Sequence, residues 1–264
     1  MSIHADKSRL QEILNKGFAV IPGALEEGEV ESLRRELSCL VAEDLEHWKD
    51  QPNHPANKID RWMVHNPMAR APTFARILEN QLMHAYLTEL LTESCILYAY
   101  TTSSMPPGGT NYSNRIHVDC PRFIKDYITN VGVILPLDDF TEKNGATYFM
   151  PGSHLKAAPP TEQEFFAAAE RIAPKAGDMV VFNARTFHLG GTNEMAVARH
   201  AITLNACRSY MRQRFDYPRL MPNKIVADLG ALGRRFLGFD VRVPCSIEEY
   251  YLPADQRLYK ANHG

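Results

Sequence analysis

The sequence predicts a mainly β fold with flanking helices: an antiparallel sandwich or barrel with helices packed outside it. Two observations carry this expectation. After about residue 94 the chain breaks into short β-rich runs separated by Gly, Pro and Asn, with few helices between them, the texture of a sandwich or barrel. Before that point apolar residues recur at three- and four-residue spacing, the period of a buried helical face.

In chain order, residues 5–16 predict a short helix. "GFAVIPG" (17–23), β-branched and aromatic between glycines, predicts a strand. Over 26–48, Val30, Leu33, Leu37, Leu40, Val41, Leu45 and Trp48 make one helical stripe. Glu26, Glu27 and Glu29 stand at its start, where the helix dipole favours anions. "NHPANKIDRWMVHNP" (53–67) is polar and Pro-punctuated and reads as loop, and 72–92 reads as helix with Pro72 near its start. Strands follow at 95–102, 115–119, 128–139, 146–152, 178–184 and 198–210, with a helical insert over 161–171 and one more helix within 222–237. The whole is expected to be a single domain over 1–264: a helical part to about 93, a β core over about 94–210, and a tail from 211.

The totals exclude several function classes. A formal net charge of −2, with 23% charged residues, argues against nucleic acid or a membrane surface as the main partner. No apolar run approaches the ~20 residues of a membrane span, and the charged N-terminus lacks the apolar core of a signal peptide. Cys39, Cys95, Cys120, Cys207 and Cys245 are widely spaced with no CxxC, which points to reduced thiols and a cytoplasmic protein. Oligomeric state is not legible.

The chemistry concentrates in "RIHVDCPR" (115–122). In an extended strand His117 and Asp119 share one face while Ile116, Val118 and Cys120 share the other. An imidazole and a carboxylate then aim at one spot. Alone the pair is weak, since ten histidines and 31 acids make chance pairs common. Further on, "VVFNARTFHLGGTN" places His188 at the end of a hydrophobic strand, and Arg199 follows eleven residues later, expected on the partner strand of a hairpin. Two histidines and one carboxylate make the facial triad of non-haem Fe(II), with positions left open for a cosubstrate and O₂. A buried arginine beyond the metal suits the far carboxylate of a dicarboxylate 2-oxo acid.

"GFAVIPGALEEGEVESLRREL", "LDDFTEKNGATYFMPGSHL", "AGDMVVFNARTFHLGGTN" and "RRFLGFD" together resemble the phytanoyl-CoA dioxygenase family of Fe(II)/2-oxoglutarate oxygenases, from about residue 17 to 240. The resemblance implies a double-stranded β-helix, the cupin-like jelly roll. It implies His117, Asp119 and His188 as metal ligands, and Arg199 as partner of the 2-oxoglutarate C5 carboxylate. Thr147 and Asn114 are implied as further cosubstrate contacts, Asn114 standing where relatives carry Gln. The implied activity is oxidation by O₂, by default hydroxylation, of an unactivated C–H bond in a small molecule. Halogenation is disfavoured, because related halogenases need a small residue where Asp119 stands. The family's acyl-CoA substrate does not carry over, and a secondary-metabolite scaffold is expected instead.

Two rivals stand beside this reading. A non-catalytic jelly-roll binding protein predicts gaps in the triad or at the arginine, and none is seen. A cupin-type metalloenzyme without 2-oxoglutarate would not require Arg199. The other histidines are expected to be structural: His154 in a turn, His200 on the face opposite Arg199, and His47, His54, His65 and His84 in helix or loop. Arg185 fits a site contact or a solvated strand end equally well. "TTSSMPPGGTNYSN" (101–114) is expected to form an active-site lid, and for Trp62 and Met63 a place facing the same cavity and an ordinary loop position fit the sequence equally well.

Overall fold

A computed structural model describes residues 3–257; the last residues of the expected tail lie outside them. The chain opens with α1 (Lys7–Lys16), whose first amides are capped by the Asp6 carboxylate. β1 (Phe18–Ile21) and α2 (Glu27–His47) follow, and at the start of α2 the Glu26 amide donates to the Glu29 carboxylate at 3.0 Å. Val30, Leu33, Leu37, Leu40 and Val41 bury its apolar stripe.

The segment read as loop over 53–67 contains one helical turn, α3 (Pro55–Lys58), because His54 caps the Ala56 amide and Pro55 sits at the first helical position. The single helix expected over 72–92 is divided into α4 (Pro72–Arg76) and α5 (Gln81–Leu90). Asn80 causes the break: its backbone turns extended and its side chain accepts from the Met83 amide at 2.8 Å, so α5 starts afresh.

The β region comprises β2 (Ile96–Thr102), β3 (Asn130–Pro136), β4 (Tyr148–Phe149), then α6 (Glu162–Ala168), β5 (Glu170–Arg171), β6 (Met179–Asn183), β7 (His188–Leu189) and β8 (Ala201–Cys207). One antiparallel sheet has the order β1-β6-β3-β8-β2, and the other β5-β4-β7. Period-two alternation divides the larger sheet's residues between two cores. Val131, Val133, Leu135, Val181, Ile202 and Ala206 pack with the helices. Ile134, Val180, Phe182 and Ala201 face the smaller sheet, where they meet Phe149 and Ile172. This is the jelly roll, with helices covering the outer face of the larger sheet.

Three β expectations are corrected. Residues 115–119 form no ladder: only His117 pairs, in an isolated bridge with His188. The reason is that the amides of Asp119 and Cys120 both turn to the Ala184 carbonyl, and Pro121 has no amide to offer. Residues 146–152 contribute only the two-residue β4. His188 and Arg199 do not share a hairpin, since β7 and β8 belong to different sheets. The intervening Gly-Gly turn passes so close to the chain that a Cβ on Gly191 would lie 2.9 Å from the Ala146 carbonyl oxygen.

The tail holds α7 (Tyr217–Leu220), α8 (Asn223–Asp228), α9 (Ala231–Phe236) and α10 (Ile247–Tyr250). The one helix expected over 222–237 is thus two, broken where Leu229 and Gly230 both turn extended before α9 starts at Ala231. Among the described residues no helix is long and apolar enough to cross a membrane, and all five cysteines are free.

Candidate metal centre and its cavity

His117 and His188 exchange both backbone hydrogen bonds, at 3.0 and 2.9 Å, so their side chains stand side by side on one face. Their ring centroids are 4.1 Å apart. Asp119 joins them because its amide, anchored on Ala184, turns the carboxylate to the same side. The Nε2 atoms of His117 and His188 lie 3.7 and 3.8 Å from the same Asp119 oxygen. Ligand atoms of all three residues fall within 4.8 Å of one another. Ile116 and Val118 pack the opposite way, against the cluster of Met150, Phe165 and Phe187.

The tautomers are fixed by backbone. Nδ1–H of His117 donates to the Arg115 carbonyl at 2.8 Å, and Nδ1–H of His188 to that of Thr186 at 3.0 Å. Both Nε2 lone pairs are therefore left facing Asp119, the arrangement that metal-ligating imidazoles require. Burial, and then the neighbouring His188, push the His117 imidazole down to about 4 against the pull of Asp119, so it is neutral at pH 7. Two imidazole nitrogens and one carboxylate oxygen suit a divalent first-row transition metal.

Packing holds His188 in place. Phe149 stacks on its ring with centroids 5.2 Å apart, and Phe182 meets it edge-on at 5.1 Å. Phe182 can lie there because position 132 is glycine: a Cβ would fall 2.1 Å from its ring. Gly17 does the same for Thr186. Its φ of +100° and a distance of 2.5 Å from a would-be Cβ to the Thr186 hydroxyl both demand glycine.

The triad opens into a cavity of about 190 Å³ between the two sheets. Arg199 and Thr147 line it as well. Arg199 is only 3% exposed and lies over the Phe140 ring at 4.0 Å. It donates to the Gly145 carbonyl at 3.2 Å, and weakly to that of Asn144 at 3.4 Å. No carboxylate lies within ion-pair distance among the described residues. Burial pulls its guanidinium down to about 10, with Asp138 opposing, so it remains a cation at neutral pH. A buried cation without an anion, facing a cavity, is the feature that an anionic ligand completes.

Asn114 is not brought into this cavity. It is exposed, bonds the Gly190 carbonyl through its amide at 2.7 Å, and lines an outer groove beside Glu142 and Lys143. The 101–114 segment contributes Thr101, Ser103, Tyr112 and Ser113 to the cavity wall. It is tied to the chain beyond β7 by bridges Met105–Arg199 and Gly109–Asn193. Met63 lines the cavity, whereas Trp62 packs against the helical core. Arg185 is neither a site contact nor solvated: it is buried and donates to the Lys156 carbonyl at 2.7 Å. His154 donates to the Leu14 carbonyl, and His200 joins Ser104 to Ser38.

Phe140, Phe149, Phe182, Asn205 and Arg214 also bound the site and were not read from the sequence. Only Gly132 gave a signal, a glycine interrupting "NVGVILP".

The phytanoyl-CoA dioxygenase family model matches residues 13–201. An uncharacterized protein of Mycobacterium tuberculosis is 29% identical over 97% of this chain and 95% of its own. The Fe(II)/2-oxoglutarate-dependent dioxygenase nvfF of Aspergillus novofumigatus is 26% identical over 72% of this chain and 65% of its own. The structure of the epimerase SnoN in complex with Fe³⁺, α-ketoglutarate and nogalamycin RO superposes with a TM-score of 0.58 at 19% identity, covering 76% of this chain and 82% of that one. That likeness shows the shared fold.

Proposed function

This chain belongs to the phytanoyl-CoA dioxygenase family of Fe(II)/2-oxoglutarate-dependent oxygenases, and on that premise we propose which residues run its chemistry and what it acts on. His117, Asp119 and His188 would hold the iron, and Arg199 with Thr147 the far end of 2-oxoglutarate. The observation that carries this is the pairing of a tautomer-fixed His-Asp-His cluster with an unpaired, buried arginine in one cavity.

Iron with 2-oxoglutarate and O₂ supplies the power to oxidise an unactivated C–H bond, with succinate and CO₂ as coproducts. The chain's own residues do the rest. The Arg115 and Thr186 carbonyls keep both imidazoles oriented as ligands. Phe149 and Phe182 fix the His188 ring and keep water off that side. Arg199, desolvated over Phe140, discriminates a dicarboxylate from a simple 2-oxo acid by a charge-assisted contact.

Hydroxylation of a small natural-product scaffold fits the reading best. SnoN, solved with nogalamycin RO, shows this fold accommodating a molecule of that kind. The chain is proposed to act as one domain, and its five free thiols favour a cytoplasmic setting. The unpaired Arg199 weighs against a metalloenzyme that does without 2-oxoglutarate. The test is succinate formation from 2-oxoglutarate with Fe(II) and O₂. The wild type should produce it, and Asp119→Ala should lose it by roughly 100-fold or more, since losing only a hydrogen-bond partner of a metal ligand already costs about 10- to 100-fold. Equal turnover in the variant would refute the assignment.

A further inference from the structure

The cavity has two ends, and strand register tells them apart. β3 and β8 pair from Pro136 with Ala201 at one end to Asn130 with Cys207 at the other. Arg199 precedes Ala201, so it belongs to the first end. Asp119 belongs to the second: its amide bonds the Ala184 carbonyl, and the Ala184 amide bonds that of Asn130. The seven residues of β8 span roughly 20 Å at about 3.3 Å per residue. A cosubstrate chelated at the cluster and held by Arg199 occupies the side of Asp119 that faces the first end, and leaves the wall around Tyr98, Ala99 and Asn205 for substrate.

A second arginine stands at that second end. β2 carries a bulge between Leu97 and Ala99, so that Tyr98 has no partner in β8. The freed Tyr98 carbonyl accepts from the Arg214 amide at 3.0 Å and from the Tyr217 hydroxyl at 3.3 Å. The adjacent Gln213 side chain is tied to the Leu97 carbonyl at 2.8 Å. The bulge thus builds Arg214 into the cavity mouth, where Tyr98, Ala99 and Asn205 also line the wall. Its guanidinium makes no hydrogen bond or ion pair among the described residues, although its backbone is fixed. Beside it the Asn205 oxygen is occupied by the Asn130 amide at 2.9 Å, leaving the Asn205 amide hydrogens for a ligand. The groove outside is mixed, lined by Arg212, Arg219 and Arg242 together with Asp216, Asp240 and Glu249. Among the described residues Arg214 is the one that lines both this groove and the cavity.

We propose that the substrate of this enzyme carries an oxyanion, a carboxylate or a phosphate, that Arg214 binds at the cavity mouth with Asn205 beside it. The inference rests on the metal and cosubstrate assignment above. It makes Arg214 a specificity-determining residue and excludes neutral or purely apolar molecules as preferred substrates.

The probes are matched sets of small carboxylic acids, phosphate monoesters and the neutral methyl esters or alcohols corresponding to each. Binding is followed by ligand-observed NMR on protein loaded with Ni(II) and 2-oxoglutarate, and turnover by succinate release with Fe(II). One of the two anionic sets should bind and stimulate turnover, and it identifies the anion. Its neutral counterparts should bind about 10- to 100-fold more weakly, the worth of a charge-assisted hydrogen bond. Arg214→Gln should lose the same factor, Arg214→Lys should recover part of it, and 2-oxoglutarate affinity should be unchanged in both. Equal binding of neutral compounds, no binding by either anionic set, or undiminished binding by Arg214→Gln overturns the proposal. A wild type that takes up neither metal nor 2-oxoglutarate overturns the metal-site assignment itself, and this inference with it.

Discussion

Gly132 and Arg199 show how single residues decide the site. Alanine at 132 would drive a methyl into the Phe182 ring, 2.1 Å away. The ring must move, and His188 leans on it. Gly132→Ala should therefore cost about 1–3 kcal/mol, the usual penalty of overpacking, read from urea midpoints, and should weaken metal binding although it touches no ligand. Arg199→Lys keeps the charge but loses the planar fork. It should raise the KM for 2-oxoglutarate by about 10- to 100-fold, with kcat changed less, and unchanged KM would remove Arg199 from the cosubstrate site. At this scale the sequence revealed what spacing encodes. The spacing puts His117 and Asp119 on one face, and in the fold the Asp119 amide's bond to the Ala184 carbonyl turns the carboxylate there. Asn114 stands outside the cavity because the turn through Tyr112 and Ser113 rotates it outward to Gly190, and no local pattern announces that rotation. Arg214 was silent because its place depends on a bulge in a strand more than a hundred residues earlier.

Among the elements, α5 carries a titration that the fold must bear. His84 is buried on α5, donates to the Leu78 carbonyl at 2.9 Å and meets Phe236 of α9 edge-on. Burial pushes its imidazole from 6.5 down to about 4. Between these pH values the unfolded chain holds more protons than the folded one, so stability is full above 6.5 and falls as pH drops toward 4. The loss approaches about 1.4 kcal/mol per pH unit for such a group. His84→Gln, which keeps a donor but does not titrate, should show a shallower loss between pH 7 and pH 4.5 in urea unfolding of the metal-free protein. Identical slopes would mean that His84 is not neutral in the fold. The long helix α2 was legible because its stripe repeats over five turns and acids mark its start. The break at Asn80 was not, since a cap and a mid-helix asparagine look alike until the backbone is seen. The supposed hairpin from His188 to Arg199 failed because sequence reports a turn, whereas the chain there crosses from one sheet to the other.

Across the whole molecule, the two sheets contribute unequally. The larger one supplies the wall and both ends of the cavity, and the edge of the smaller one supplies His188. His117 and Asp119 come from a segment that belongs to neither sheet yet is pinned to both, at His188 and at Ala184. A metal held there would tie that segment to β7, so thermal stability should rise with metal and 2-oxoglutarate, by about 2.7 kcal/mol at a hundredfold excess over Kd. The most direct measurement is anaerobic titration of Fe(II) into the protein with 2-oxoglutarate, followed by the visible charge-transfer absorption of the chelated ion. One iron per chain with that absorption in the wild type, and none in a folded His188→Ala variant, is the predicted result. The same absorption at the same stoichiometry in His188→Ala would contradict it.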